Sequence, residues 1–241
     1  IGEILNIADR LREHFSGLTL TKDFSFARHT TIGCGGTAAV AAEPASAEQA
    51  AGLLAYLFTE KIPYCFLGAG ANVLPAEGRF EGVVVRFRAL GALFSTGTTI
   101  YAGAGVTGGR LLSFAAANGI GGFEPLSGIP TSVGGGITMN AGIADLHFGD
   151  VTARVLAAEN GQLRVLSHAD CGFGEKTSIF QSGIAVLGAY LIGRRSDAAS
   201  IASRACFYRR RRACLPKGRS MGCAFVNPAE CSAGELIERC G

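Results

Sequence analysis

Glycine is concentrated in three segments, and the first two each follow a run of apolar residues. The chain has 35 glycines among 241 residues, roughly twice the usual share. The three segments are residues 68–74 (GAGANVL), 103–108 (GAGVTG) and 121–142. Glycine allows a backbone to approach a ligand closely, and successive backbone N–H groups can cradle a phosphate. Three such segments in a chain of this size predict one long ligand that contains a pyrophosphate.

Strand-like and helix-like patterns alternate along the rest of the chain. The predicted helices cover residues 3–15, 46–60 (with Ser46 as N-cap), 110–119 (closed by Gly119), a basic stretch from Asp197, and the end from Ser232. The predicted strands cover residues 64–67, 82–87, 98–105 and 183–193, and a hairpin over 151–167 that turns at Asn160-Gly161. Residues 121–142 are interpreted as too rich in glycine for either element. The alternation predicts an α/β or α+β protein with boundaries near Arg88 and Ser196.

Composition excludes several classes of function. The net charge is only +3 and tryptophan is absent, which disfavours a nucleic-acid partner. The longest apolar run, residues 183–193, is too short to span a bilayer, and the amphipathic start is unlike a signal peptide. The eight cysteines form no C-x-x-C pair and no zinc-like spacing with histidine. We therefore expect a cytoplasmic monomer with reduced thiols, no metal, and neither nucleic acid nor membrane as partner.

Two motifs each allow a purely structural interpretation and a ligand-binding one. Gly103–Gly108 matches the G-x-G-x-x-G dinucleotide fingerprint. The strand before it is short, and no acidic residue follows at the spacing that the fingerprint requires. We therefore favour a simple strand-to-helix turn. Arg209–Arg212 is the only basic cluster, and we favour a solvated helix end over a site for a phosphate-bearing ligand.

Four motifs occur in a fixed order along the chain: GAGANVL (68–74), GGFEPLSGIPTSVGGGITMNAG (121–142), CGFGEKTSIF (171–180) and GCAFVNP (222–228). Together they resemble the UDP-N-acetylenolpyruvoylglucosamine reductases, also called UDP-N-acetylmuramate dehydrogenases. The resemblance runs from about Thr30 to the end of the chain. It implies an α+β flavoprotein with a two-subdomain FAD-binding module of the vanillyl-alcohol-oxidase type, at residues 1–88 and 89–196. Residues 197–241 would form a substrate-binding domain, expected to be incomplete.

The resemblance also implies a reaction. Such enzymes use FAD and NADPH to reduce the enolpyruvyl ether of UDP-N-acetylglucosamine enolpyruvate to UDP-N-acetylmuramate. The reaction belongs to peptidoglycan synthesis, and so to cell-wall biogenesis, cell shape and cell division. The flavin supplies a hydride to C3, and a protein acid protonates C2. The charge that develops needs a cationic or hydrogen-bonding group aimed at it, and a proton donor within reach.

The resemblance assigns roles to particular residues. Cys223 stands where the family usually has a proton-donating serine; because a thiol loses its proton more readily than a hydroxyl, we favour Cys223 as the acid over a small buried filler. Lys176 is assigned to stabilise the enolate, and Asn227 and Lys217 to contact the substrate. The residues assigned to FAD are Gly68, Ala69, Gly70, Ala71, Asn72, Val73, Leu74, Ser127, Gly128, Ile129, Pro130, Thr131, Gly134, Gly135, Asn140, Ala141 and Gly142.

The chain departs from the family pattern at the substrate side. Glu175-Lys176 replaces Tyr-Arg, so a positive charge remains but the bidentate fork of arginine is lost. Val226 replaces a lysine, and Glu175 places an acid beside an anionic substrate. The family's second catalytic group, a glutamate, follows the helix that begins at Ser232, and the chain ends at Gly241.

Smaller departures affect the FAD segments. Ala71 lacks the hydroxyl of the usual serine, and Thr131 stands where glycine is common. Backbone donors survive both changes.

Glu235 and Glu238 belong to the last helix and are not the missing catalytic glutamate. Two alternatives therefore stay open: a family member that binds FAD or the UDP-sugar without turnover, or another flavoprotein oxidoreductase on the same scaffold.

Overall fold

The computed structural model describes residues 6–143, 145–214, 218–222, 224–225, 228 and 230–241. In its first part, one four-stranded sheet is flanked by two helices. These elements are α1 (Ile7–His14), β1 (Thr19–Ser25), β2 (Thr37–Glu43), α2 (Ala47–Thr59), β3 (Tyr64–Phe66) and β4 (Arg79–Val85). The strand order is β1-β2-β4-β3; β2, β4 and β3 are parallel, and β1 is antiparallel to β2.

The following residues form a five-stranded antiparallel sheet with helices packed against it. The elements are β5 (Leu93–Thr96), β6 (Thr99–Gly103), α3 (Gly108–Ala117), β7 (Ile120–Gly121), α4 (Val133–Thr138), β8 (Gly142–Ile143), β9 (Leu146–His147), α5 (Phe148–Val151), β10 (Thr152–Glu159), β11 (Gln162–Ser167), β12 (Ala185–Ile192), β13 (Arg194–Arg195), α6 (Ala198–Ala213) and α7 (Ala233–Arg239). The sheet order is β11-β10-β12-β6-β5. Short 3-10 turns cover Glu124–Leu126, Ala169–Cys171 and Ile179–Ser182.

Local sequence explains why several of these elements form. The Ser46 side chain accepts a hydrogen bond from Gln49 N at 3.1 Å and so caps α2. Buried residues of α2 recur at helical spacing, at Ala50, Leu53, Leu54 and Leu57. The β10–β11 hairpin turns at Asn160 and Gly161, which both have positive φ (49° and 79°), as a tight two-residue hairpin requires. These predicted elements are confirmed.

The two sheets pack against each other through α2. One core cluster joins α1, α2 and the inner face of the first sheet to Ala158, Ala185 and Leu187 of the second sheet. A larger cluster fills the space between the second sheet and the helices α3, α4 and α5. The first sheet lies within residues 19–85 and the second within 93–192. The proposed boundaries at Arg88 and Ser196 fall between elements, and the division into domains stays a prediction.

The interpretation of residues 121–142 as neither helix nor strand is wrong. The segment contains the 3-10 turn Glu124–Leu126, the helix α4 and the short strand β8. Tertiary packing outweighs the low helix propensity of glycine here. A Cβ at Gly134 would lie 2.9 Å from Ala104 Cβ, and a Cβ at Gly136 would lie 2.5 Å from a ring carbon of Phe148. The glycines therefore allow α4 to approach its neighbours closely.

The remaining expectations concern the ends of the chain. Asn6 caps α1, which begins at Ile7; residues 3–5 of the predicted helix lie outside the described residues. Asp197 caps α6, as its side chain accepts a hydrogen bond from Ser200 N at 2.8 Å. The predicted C-terminal helix is α7. Within the described part of the chain, every helix is too short or too polar to cross a membrane.

Candidate functional site

Residues 68–72 form a loop with a row of free backbone donors. Strand β3 ends where Leu67 N donates to Val85 O at 3.1 Å. Beyond that bond, none of the five N–H groups of residues 68–72 donates a hydrogen bond to any residue that the structure describes. Gly68, Ala69 and Asn72 are exposed to solvent. Gly70 is buried, and Ala71 is partly exposed. Consecutive amides that the protein leaves without an acceptor are the arrangement that cradles a phosphate.

Gly70 fixes the shape of this loop. Its φ is +70°, and a Cβ at this position would lie 2.2 Å from the carbonyl oxygen of His29. Thr31 N donates to Gly70 O at 3.0 Å on the same side. The loop therefore lies directly on residues 29–31, and only glycine fits at its centre.

In the second glycine segment, residues 103–108, most backbone donors are bonded within the protein. Five of its six N–H groups donate to carbonyl groups of the protein, those of Leu90, Ala92, Gly103, Thr131 and Leu187. A Cβ at Gly105 would lie 2.2 Å from Phe87 O. These donors are not available to a ligand. The favoured interpretation of this motif as a strand-to-helix turn is confirmed.

The third segment lies against the first. The Ser132 side chain caps α4 by accepting from Gly135 N at 3.3 Å. A Cβ at Gly68 would lie 2.8 Å from Ser132 Oγ. The N–H groups of Val133 and Gly134 donate to Val106 O and Ala104 O, at 2.8 and 3.0 Å. The N-terminus of α4 thus forms one wall of the site, while the free donors belong to residues 68–72.

Lys176 is carried by a tight turn that is tied to the third segment. Its backbone has φ +56°, and its Nζ donates to Gly142 O at 3.2 Å. Ser178 Oγ donates to Thr138 O at 2.7 Å. The predicted enolate-stabilising lysine and the predicted cofactor segment are therefore parts of one hydrogen-bonded unit.

Asn140 is the central link of that unit. It is 7% exposed and has φ +39°. Its Oδ1 accepts from Gly149 N at 2.8 Å, and its Nδ2 donates to Gly174 O at 2.8 Å. The side chain assigned to FAD is thus bonded once at each of its polar atoms within the protein, and it holds Gly149 and Gly174 together.

The basic helix α6 packs beside the same segment. Arg204 forms a pair with the buried Glu124, at 2.7 Å between Nη2 and Oε1. Burial raises the pKa of Glu124, but hydrogen bonds from its own backbone, from Arg204 and from Gly122 outweigh burial and leave the pKa below its usual value. Arg212 Nε donates to Gly128 O at 3.0 Å, and Arg211 Nη1 to Asp145 Oδ2 at 3.4 Å. The end of the arginine run is therefore bound to the protein rather than simply solvated.

Residues 218–222 lie against the loop that contains residues 31–33, between β1 and β2. Ser220 N donates to Thr31 O at 3.3 Å, the Thr31 hydroxyl donates to Ser220 O, and Arg219 Nη1 donates to Gly33 O at 3.3 Å. A Cβ at Gly222 would lie 3.4 Å from Ala71 O. We call Arg219–Gly222 the strap. Cys223 and the predicted substrate contacts Lys217 and Asn227 lie outside the described residues.

Comparison with known proteins identifies the family. The sequence profile described as "FAD binding domain" matches residues 38–160. The chain is 35% identical over 239 residues to the UDP-N-acetylenolpyruvoylglucosamine reductase of Caldanaerobacter subterraneus, which covers 98% of this chain and 79% of that protein. The chain belongs to the UDP-N-acetylenolpyruvoylglucosamine reductase family. The reductase of the same name from Syntrophobacter fumaroxidans is 36% identical over 225 residues, and the match spans 89% of this chain and 65% of that protein.

Solved structures agree with this family and with its fold. The UDP-N-acetylenolpyruvylglucosamine reductase of Thermus caldophilus superposes with a TM-score of 0.81 at 30% identity, covering 94% of this chain and 81% of that one. Cholesterol oxidase from Brevibacterium sterolicum superposes with a TM-score of 0.60 at 13% identity, over 75% of this chain and 38% of that one. The expected FAD-binding module of the vanillyl-alcohol-oxidase type is confirmed.

The residues of this family member fit FAD at the loop 68–72. A diphosphate presents acceptor oxygens and no donors, and this loop presents donors that the described protein does not satisfy. Ala71 in place of serine removes one side-chain donor and leaves every backbone donor of the loop.

Two parts of the site were missed from the sequence. Ser132 caps a helix that was not expected, although a serine before an apolar residue is an ordinary start signal. Thr31 joins the loop 68–72 to the strap, which lies far away in the sequence. No local pattern could have revealed that second contact.

Proposed function

We propose that this chain reduces UDP-N-acetylglucosamine enolpyruvate to UDP-N-acetylmuramate, with FAD as bound cofactor and NADPH as reductant. The observation that carries the proposal is the row of free amide donors at residues 68–72, beside the N-terminus of α4. Family membership supplies the choice of substrate. The proposal covers the activity of the whole protein, of which this chain spans 65% to 79% in the two relatives compared.

FAD binding is proposed at the first and third glycine segments. The free N–H groups of residues 68–72 hold the diphosphate, and residues 127–135 with 140–142 line the opposite wall. These residues would hold FAD, which would supply hydride transfer from NADPH to the enolpyruvyl double bond.

The protein's own chemistry is stabilisation of charge and delivery of a proton. Lys176 places an ammonium on a turn fixed to the third segment, where it opposes the negative charge that develops on the substrate carboxylate. Cys223 donates the proton to C2 and is reprotonated from solvent before the next turnover. Lys217 and Asn227 contact the UDP-sugar.

The organisation that goes with this activity is also a proposal. Residues 1–88 and 89–196 form the two FAD-binding subdomains, and residues 197–241 begin the substrate-binding domain. We propose that the protein works as a cytoplasmic monomer. Its partners are small molecules rather than nucleic acid or membrane.

The lysine provides a sharp test of the substrate side. Lys176→Gln removes the ammonium, and Lys61→Gln removes another lysine that also has a left-handed backbone, at φ +52°, but lies at the end of α2. A lost charge-assisted bond is worth about 1.5–3 kcal/mol, so Lys176→Gln is expected to slow flavin reoxidation by the sugar about 10- to 100-fold.

The NADPH half-reaction and the FAD affinity are expected to stay as in the parent protein. Lys61→Gln is expected to match the parent in all three measurements. Equal reoxidation rates for the parent and Lys176→Gln would exclude Lys176 from the reaction.

A further inference from the structure

Thr31 connects two parts of the site that are far apart in the sequence. Its N–H donates to Gly70 O at 3.0 Å, in the middle of the proposed diphosphate loop. Its carbonyl accepts from Ser220 N at 3.3 Å, and its hydroxyl donates to Ser220 O and also lies within hydrogen-bond distance of Gly70 O, at 3.3 Å. One residue therefore pairs with the cofactor loop on one side and with the strap on the other.

Individual contacts hold the strap, rather than pairing within a helix or a sheet. Residues 219–221 belong to neither a helix nor a strand. Their described anchors are the two Thr31–Ser220 bonds and the bond from Arg219 to Gly33 O, with the arginine side chain 3.0 Å from where a Gly33 Cβ would be. All of these anchors lie on residues 31–33.

The strap leads directly into the proposed acid. Gly222 lies beside Ala71 and Asn72, with 3.4 Å from its Cβ position to Ala71 O and to Asn72 Oδ1. Cys223 is the next residue in the chain. Fixing residues 219–222 on the cofactor loop therefore sets where the chain enters the segment that carries the proton donor.

We propose that Thr31 is a positioning residue that holds the strap on the cofactor loop and so places the start of the Cys223 segment. This inference rests on the proposed function, because the role of Cys223 is part of it. Thr31 acts through Ser220 rather than on the reacting atoms.

The test separates positioning from general support of the loop. Thr31→Val removes the hydroxyl and keeps the shape and both backbone bonds. Thr31→Ser keeps the hydroxyl and is the conservative rescue. The matched control is Ser167→Ala, which removes a hydroxyl that is likewise exposed but is bonded to Asp170 Oδ2 at 2.6 Å, at the end of β11. Because Thr31 is exposed, the free energy lost with this hydrogen bond is expected at the low end of the usual range.

Two readouts are measured on the FAD-loaded full chain. Amide hydrogen exchange of peptides that contain residues 218–222 reports the strap itself, without any turnover. Stopped-flow absorbance reports flavin reduction by NADPH and flavin reoxidation by the enolpyruvyl sugar separately. Thr31→Val is expected to speed exchange in the strap and to slow reoxidation about two- to fivefold, with FAD affinity and the NADPH step unchanged. Thr31→Ser and Ser167→Ala are expected to match the parent.

Three outcomes would count against the inference. Unchanged strap exchange in Thr31→Val would mean that the hydroxyl does not hold the strap. A parallel fall in FAD affinity and in both half-reactions would mean that Thr31 only supports Gly70. Faster strap exchange with an unchanged reoxidation rate would mean that the strap does not place the acid. If the parent is not reoxidised by the sugar at all, the proposed function fails, while the exchange result still decides whether Thr31 holds the strap.

Discussion

Replacing Asn140 by aspartate should destabilise the protein in a pH-dependent way. The two side chains have nearly the same shape, so Asn140→Asp retains the acceptor for Gly149 N at 2.8 Å. It loses the donor to Gly174 O, also at 2.8 Å, and sets a carboxylate oxygen against that carbonyl. The residue is 7% exposed, so little water can replace the lost partner.

The expected loss follows from the geometry. Leaving a buried acceptor unpaired costs about 1–3 kcal/mol. For a chain of this length each kcal/mol lowers Tm by about 2–4 °C, so the variant should melt about 2–12 °C below the parent at pH 7. Because Gly174 opens the turn that carries Lys176, reoxidation of the flavin by the sugar should also slow.

The sign of the pH dependence is definite. Burial and the facing carbonyl raise the pKa of the new carboxyl in the folded state above the roughly 3.9 of a free aspartate. Below that free value both states are protonated, and the acid can again donate to Gly174 O. As the pH rises through the folded-state pKa, the variant loses stability relative to the parent. The deficit should therefore grow between about pH 4 and pH 7.

Asn160→Asp is the matched control. Asn160 also has a positive φ, at 49°, but it lies exposed in the β10–β11 turn. Urea unfolding of the parent and both variants across this pH range measures the effect. If Asn140→Asp is as stable as the parent at pH 7, or if the two variants follow the same pH profile, Asn140 does not hold the Lys176 turn.

Three further outcomes are expected. Gly70→Ala should weaken FAD binding in a fluorescence titration at least tenfold, since its Cβ would lie 2.2 Å from His29 O. Gly78→Ala, also at positive φ but with open space around it, should bind FAD like the parent. Equal FAD affinities of the two variants would contradict the role of the loop. Acid should destabilise the parent more than Glu124→Gln, because the lowered pKa of Glu124 gives stability that is lost as the pH falls through that pKa; identical acid unfolding profiles would contradict this. Burial raises the pKa of Cys171 to about 11. After alkylation of the native protein at pH 8, mass spectrometry should therefore find Cys171 unmodified and the exposed Cys34 modified. Rapid labelling of Cys171 would refute its burial.

Elements with a strong local signal could be predicted from the sequence. The capped helix α2, the Asn160-Gly161 hairpin and the loop at residues 68–72 each depend on a few neighbouring residues. The interpretation of residues 103–108 as a turn was also correct, since the fingerprint lacked its acidic partner.

The missed features depend on contacts between distant residues. Helix α4 forms in spite of three glycines because Ala104, Val106 and Phe148 pack on it and bond to it. The hydrogen bonds of the Asn140 side chain to Gly149 and Gly174 follow from the placement of two later segments. The link between Thr31 and Ser220 joins residues 189 positions apart. Sequence patterns do not report which distant carbonyl lies within 3 Å of a given amide.

The visible spectrum of the purified protein under anaerobic conditions tests the central claim most directly. The protein is reconstituted with FAD, treated with NADPH, and then given UDP-N-acetylglucosamine enolpyruvate. We expect a flavin band that NADPH bleaches and the sugar restores. A band that NADPH bleaches and the sugar leaves bleached would contradict the proposed activity, and the absence of any flavin band after reconstitution would contradict the cofactor site at residues 68–72.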